Sequence, residues 1–146
     1  MSTRGRYALR AAVDLALYEG DGPVQQEEIA RRQEIPSAYL ARLMVQLARA
    51  GLVHGARGPG GGYRLARPAA EIRAGDVVRA VEGPLDVVRC TDPRTSRTCP
   101  RQPTCVTTRL WRQVGEAIAA VLDGITLAEL MEEARLFGQG PQAGKE

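Results

Sequence analysis

A mainly α fold with one small β-hairpin is the architecture this chain predicts, and three observations predict it. Apolar residues recur at helical spacing in several separate stretches. Two of these stretches are short and joined by a tight turn at Ile35-Pro36. Two brief β-prone runs then flank a glycine-rich segment, and an apolar stripe of about four helical turns follows near the C-terminal end.

Each element follows from its residues. Residues 7–19 form the first helix, with Leu9, Val13 and Leu17 at i, i+4 and i+8 and Ala12 and Leu15 beside them. Gly20-Asp21-Gly22-Pro23 ends it, because neither glycine nor proline continues a helix cheaply. Residues 25–33 make a short second helix with Ile29 and Ala30 inward. Ser37 caps the third helix, which runs to Ala50 and ends on Gly51 as C-cap. Its Leu40, Leu43, Met44 and Leu47 share one face, and Ala38, Tyr39, Ala41, Arg42, Gln46 and Arg49 fall largely on the other. Residues 52–54 and 63–65 are strands around Gly55-Ala56-Arg57-Gly58-Pro59-Gly60-Gly61-Gly62, a hairpin with a flexible, basic tip. The glycine cluster is not a phosphate loop: it contains Pro59, lacks a following Lys-Ser/Thr pair and leads into a strand. Two short helices and a tight turn, followed by a hairpin, form a winged helix-turn-helix.

Beyond the wing, a short helix at about 76–81 and an extended piece at 85–88 connect to an arginine- and proline-rich loop. A long helix follows, with Leu110, Val114, Ala117/Ile118, Val121/Leu122 and Ile125 in one stripe. A lone helix projecting from a small domain needs a cover for such a stripe. The expectation is a symmetry mate, hence a homodimer, with packing onto its own domain as the competitor. The divisions are a winged helix-turn-helix domain with connector (1–84), a cysteine loop (85–108), a dimerisation helix with a C-terminal helix (109–137) and a disordered tail (138–146).

Charge distribution says more than the net +3. No acidic residue occurs between Glu34 and Glu71, a stretch that holds Arg42, Arg49, Arg57, Arg64 and Arg67. Clustered positive charge is the footprint of an anionic partner, double-stranded DNA first. Arg42, on the outer face of the third helix with Ala38 and Tyr39, is a candidate to read guanine. Arg57, with Gly58 and Gly60 after it, is the side chain expected in a minor groove. Arg49, Arg64 and Arg67 suit phosphate contacts. No apolar run approaches the ~20 residues that span a bilayer, and the apolar stretch 7–18 is broken by Arg10 and Asp14. The expected location is therefore the cytoplasm, with no membrane partner. No nucleophile with a base and no paired carboxylates in a plausible pocket suggest an enzyme.

The three cysteines, Cys90, Cys99 and Cys105, all lie in the loop. In a reducing compartment such thiols are metal ligands or redox sensors before they are disulfides. The spacing is wide for structural zinc, which prefers closely paired cysteines and four closed ligands. A metal-free thiol switch and a regulator controlled by a partner protein stay open as alternatives.

Gly5-Arg6-Tyr7-Ala8, Gly22-Pro23-Val24, Tyr39-Leu40, Gly51-Leu52-Val53, the Arg57-to-Tyr63 string, Arg89-Cys90, Cys105-x-Thr107, Leu110-Trp111-Arg112 and Ile125-Thr126-Leu127-x-Glu129-Leu130 together resemble one family. They are similar to the bacterial winged-helix iron–sulfur regulators of the IscR, NsrR and RirA type, over about residues 3–131 and nearest to the IscR-like members. The resemblance implies a homodimeric transcription regulator, a repressor in the first instance. It binds a partly palindromic operator through Tyr39 and its neighbours and through Arg57. The resemblance also implies an iron–sulfur cluster on Cys90, Cys99 and Cys105, [2Fe-2S] ahead of [4Fe-4S], answering to cluster supply, iron, redox state or nitric oxide. The chain departs from the family at the fourth ligand. IscR-like members carry a histidine three residues after the last cysteine, where this chain has Thr108. NsrR-like members borrow an aspartate from the partner's first helix, where this chain has Arg6. Asp92, Thr108, a partner carboxylate or an exchangeable small molecule remain for that position. The relatives also carry an acid at the position of Ala41, and its absence puts their discrimination between operators in doubt here.

Overall fold

Helix α1 (Thr3–Tyr18) is the element around which the others pack. The computed structural model describes residues 1–58, 60–88, 90–92, 94–95 and 99–141. After α1 come α2 (Gln26–Gln33), α3 (Ser37–Arg49), β1 (Val53–Gly55), β2 (Tyr63–Leu65), α4 (Ala74–Glu82), α5 (Thr108–Asp123) and α6 (Leu127–Leu136). Ala8, Ala11, Ala12 and Leu15 turn the buried side of α1 toward the core. Small alanines let neighbouring helices close against it, α4 and α6 among them.

Apolar periodicity predicts a start at Tyr7, but the helix begins at Thr3. The reason is capping. Ser2 Oγ accepts the Arg4 N–H at 3.2 Å. From α4, Glu82 Oε1 accepts the N–H groups of Ser2 at 2.8 Å and Gly5 at 3.1 Å. A carboxylate there satisfies orphan donors and complements the helix dipole. Burial pushes the Glu82 carboxyl up, but the bonds from Ser2 and Gly5 outweigh it and leave the group below its usual range. A Cβ at Gly5 would lie 2.9 Å from Glu82 Oε1, so the small residue keeps this contact open.

Asp14, read from sequence only as a break in an apolar stretch, is 1% exposed. Arg32 of α2 grips it with Nε–Oδ2 at 2.9 Å and Nη2–Oδ1 at 2.7 Å, and Gln33 Nε2 adds 2.9 Å. Arg32 also lies 3.8 Å over the Tyr18 ring. This buried pair fixes α2 against α1, because either charge left alone inside would be expensive.

Two expectations about the ends of α3 need correcting. Ser37 does not cap α3. Pro36 occupies the N-cap position, and Ser37 is the first helical residue, donating its hydroxyl to Glu27 Oε1 at 2.7 Å. The C-cap is Ala50, and Gly51 follows it with φ of +73°. Gly51 N–H bonds to Ala48 O and Leu52 N–H to Leu47 O, both at 3.0 Å, the paired closure that glycine permits. Leu40, Leu43, Met44 and Leu47 are buried as expected and meet Ile29, Ile35, Leu52 and Val53.

Strands β1 and β2 pair antiparallel, Val53 with Leu65, His54 with Arg64 and Gly55 with Tyr63. Val24 adds a further rung: Val24 N–H bonds to Tyr63 O at 2.9 Å and Tyr63 N–H to Val24 O at 2.8 Å. The wing is thereby tied to the segment before α2. Gly62, with φ of +101°, permits it, since a Cβ there would meet Val24 O at 2.8 Å. His54 is exposed.

Helix α4 is longer than the stretch expected at 76–81, and it packs on α1 through Val77, Val78 and Val81. Residues 85–88 bend and form no strand, correcting the extended piece. Ala74 N–H to Ile125 O at 2.8 Å and Leu127 N–H to Ile72 O at 2.9 Å join the start of α4 to the start of α6. Thr126 and Glu129 cap α6 reciprocally. Gly138, with φ of +76°, closes α6 through Gly138 N–H to Arg135 O and Gln139 N–H to Ala134 O, both at 2.9 Å. The rest of the tail, 142–146, lies outside the described residues.

Helix α5 meets the rest of the fold at its start, at its middle and at its end. Thr108 and Gly115 are its buried residues. Asp123 is gripped by Arg79 of α4 in two bonds of 2.7 Å. Between the ends, Leu110 is 52%, Trp111 38% and Val121 63% exposed. Among the described residues no helix is long and apolar enough to cross a membrane.

Candidate functional site

The first part of the site is the outer face of α3 with the wing. Leu47 and Met44 anchor α3 inward, which leaves Ala38, Arg42 and Arg49 exposed. Ala41 and Gln46 are half-buried beside them. Ser37 is half-buried, its hydroxyl occupied by Glu27. Tyr39 is also half-buried and meets Tyr7 edge-on, with ring centroids 5.7 Å apart, so the core holds its ring in place. On the wing, Arg57, Arg64 and Arg67 are exposed. None of these five arginines forms an ion pair among the described residues, so their charge is free for an anion.

Wing geometry follows from its glycines. Ala56 N–H bonds to Gly62 O at 2.8 Å and Gly61 N–H to Gly58 O at 3.1 Å. Gly58 and Gly60 have φ of +106° and +87°, a region that side chains disfavour. The turn puts Arg57 at the tip, and Pro59 lies outside the described residues. A basic helix face beside a basic hairpin can seat a helix in one groove and a guanidinium in the neighbouring one, with phosphates neutralised along the way.

The second part is the cysteine loop. Arg89, Pro93, Ser96, Arg97 and Thr98 lie outside the described residues. Cys90, Cys99 and Cys105 are free thiols, each half-buried. Cys90 lies within a turn closed by Thr91 N–H to Val88 O at 3.2 Å. Cys99 O accepts the Gln102 N–H at 3.2 Å, and the short 3-10 turn Gln102–Thr104 then delivers Cys105 to the start of α5. Cys105 O accepts the Thr108 N–H at 3.3 Å.

Cys105 has the most distinctive surroundings. Thr107 Oγ1 lies 3.2 Å from its sulfur. That hydroxyl, then the Thr107 backbone and the nearby Thr108 hydroxyl, lower the thiol from its ordinary value to about 7. Sequence reading missed Thr107 as a partner, although two threonines in the three residues after a cysteine were the available signal. The Thr108 hydroxyl lies close enough to the sulfur to stabilise its anion, but not in hydrogen-bond geometry, and it is buried with no other partner among the described residues.

Asp92, a candidate fourth ligand, is otherwise engaged. Arg94 Nη2 donates to its Oδ2 at 2.6 Å, and Arg94 Nε and backbone N–H donate to Oδ1 at 3.0 and 2.8 Å. The Arg94 guanidinium holds this carboxyl below the usual range. Arg6, at the other family ligand position, is exposed.

Among the described residues, no three His, Cys, Asp or Glu side chains converge as a single-ion site requires. A two-iron cluster asks less of any one point, because each iron takes only two protein donors. Three free, half-buried thiols and an orphaned hydroxyl beside one of them fit such a group in donor chemistry.

The family model described as Rrf2, an iron-dependent transcriptional regulator, matches residues 1–133. The HTH-type transcriptional regulator IscR of Serratia proteamaculans is 42% identical over 131 residues, covering 90% of this chain and 78% of that protein. Among solved structures, IscR of T. potens is similar with a TM-score of 0.77 and 37% identity, over 97% of this chain and 92% of that one. CymR of B. subtilis, described as its global cysteine regulator, is similar with a TM-score of 0.72 and 34% identity, over 91% and 96%.

Proposed function

The chain belongs to the Rrf2 family as an IscR-like DNA-binding transcription regulator, not an enzyme, and from that premise we propose a homodimer whose operator binding is tuned by an iron–sulfur cluster. Cys90, Cys99 and Cys105 would hold the cluster, [2Fe-2S] ahead of [4Fe-4S], in a cytoplasmic protein. When bound, such a group supplies a link between the three thiolates that iron, oxygen or nitric oxide can make or break.

The observation that carries the reading is the position of Cys105. Its carbonyl accepts the Thr108 amide, so the ligand loop and the first turn of α5 share a hydrogen bond. Whatever fixes the Cys105 sulfur therefore restrains the start of α5. Leu110 and Val121, both exposed and on one face of α5, suit a second copy of that helix. The angle between paired α5 helices sets the distance between the two α3 helices. Operator half-sites lie about one helical turn apart, so a small change in that distance alters affinity. In this arrangement Tyr39, Ala38 and Arg42 face the major groove, with Ser37 at its edge. Arg57, just before Gly58 and Gly60 at the wing tip, reaches the minor groove, and Arg49, Arg64 and Arg67 meet phosphate.

A metal-free thiol switch is the second reading. It is favoured by the lowered Cys105 thiol and by the likeness to CymR. Purification without oxygen, followed by iron and sulfide assays and a visible spectrum, separates the two. The cluster reading expects about two irons and two sulfides per chain and their loss in Cys99→Ala. A colourless, iron-free protein after reconstitution overturns it, and full occupancy in Cys99→Ala overturns the ligand assignment.

A further inference from the structure

One polar side-chain atom among the described residues is buried without a partner, the hydroxyl oxygen of Thr108. The residue is 7% exposed. Stripping a hydroxyl of water and giving it nothing in return is unfavourable, and native structures rarely leave one so. A threonine within a helix can turn its hydroxyl onto the carbonyl one turn back. Thr108, the first residue of α5, makes no such bond. Its hydroxyl instead neighbours the Cys105 sulfur, which already has Thr107 Oγ1 at 3.2 Å.

We infer that the Thr108 hydroxyl receives a small exchangeable donor, a low-molecular-weight thiol that displaces water, which binds beside Cys105 and completes the coordination that three cysteines leave one ligand short. This rests on the cluster reading above. Three observations converge on it. The loop supplies three thiols and no fourth. Asp92, the nearby carboxylate, has both oxygens occupied by Arg94. Thr108 offers a buried oxygen able to donate and accept, and a neutral alcohol is a poor partner for iron beside soft thiolates. Thr108 is therefore a positioning residue that bonds the exchangeable ligand, not the iron. When a thiol replaces water there, its sulfur bonds to iron, its proton goes to solvent and the water leaves. No oxidation state changes.

The test uses anaerobically reconstituted full-length protein and four versions of residue 108: wild type, Thr108→Ser, Thr108→Val and Thr108→His. Each is titrated with glutathione while the visible spectrum and the electron paramagnetic resonance of the reduced cluster are recorded. Wild type and Thr108→Ser should shift saturably, which identifies a thiol as a competent ligand. Their spectra before addition report the water-bound form. Thr108→Val should bind the thiol about tenfold more weakly. Thr108→His, which brings its own donor, should not respond and should lose iron to a chelator about tenfold more slowly than wild type. Loaded wild-type protein that ignores glutathione overturns the inference, as does Thr108→Val responding like wild type; the cluster reading survives both. Wild type that takes up neither iron nor sulfide overturns the cluster reading itself, and this inference with it.

Discussion

At the scale of single residues, Cys105 and Thr108 carry the chemistry. A thiolate, not a thiol, attacks alkylating agents, and the Cys105 thiol lies at about 7 because Thr107 stabilises its anion. In metal-free protein, its alkylation rate should rise with pH through about 7 and level off above it. Thr107→Val should move that midpoint up toward the ~8.5 of a free cysteine. Peptide mapping by mass spectrometry measures this, and an unmoved midpoint would remove Thr107 as the cause. Thr108 makes an opposite kind of statement. Valine has its shape without the orphaned hydroxyl. Relieving that cost should stabilise the metal-free protein by about 1–3 kcal/mol. Chemical denaturation measures the change, and a loss of stability would mean that the hydroxyl does have a partner. Neither feature was legible from composition or periodicity. The sequence shows that Thr108 follows Cys105 by three, but its burial depends on how α5 meets the rest of the fold.

At the scale of elements, α2, α3 and the wing were legible because their signals are local. Ile35-Pro36 marks a break, Leu40, Leu43, Met44 and Leu47 mark a buried face, and the glycine run marks a hairpin. What failed to show were contacts made across the chain. The start of α1 depends on Glu82, the wing's extra rung on Val24, and the seat of α2 on Asp14 with Arg32. Ser37 misled because a good capping residue stood one place inside a helix whose N-cap position proline had taken. The wing offers a sharp check. Gly62→Ala places a methyl group 2.8 Å from Val24 O at a φ of +101°. It should cost about 2–3 kcal/mol in thermal unfolding. An unchanged transition would show that the Val24 rung contributes little.

At the scale of the whole molecule, α3 with the wing presents unpaired arginines and α5 exposes apolar side chains. Both are incomplete surfaces, and each fits a partner of a different kind: DNA for the first and a second copy for the second. Val121, 63% exposed on α5, reports on the second. Val121→Glu should leave the helical circular dichroism intact, yield a monomer in sedimentation equilibrium and weaken binding to a two-half-site duplex. A variant that stays dimeric would place the interface elsewhere. The central claim joins the two surfaces through the cysteine loop, and DNA binding tests it most directly. Duplexes can be selected from a random pool with cluster-loaded protein, and affinity then measured at one fixed salt concentration. The comparison is between loaded protein, chelator-stripped protein and Cys105→Ala. The expected result is a pair of related half-sites about one helical turn apart, with stripping changing affinity by about tenfold and Cys105→Ala matching the stripped form. Equal affinity for the same duplex in all three states would contradict the account.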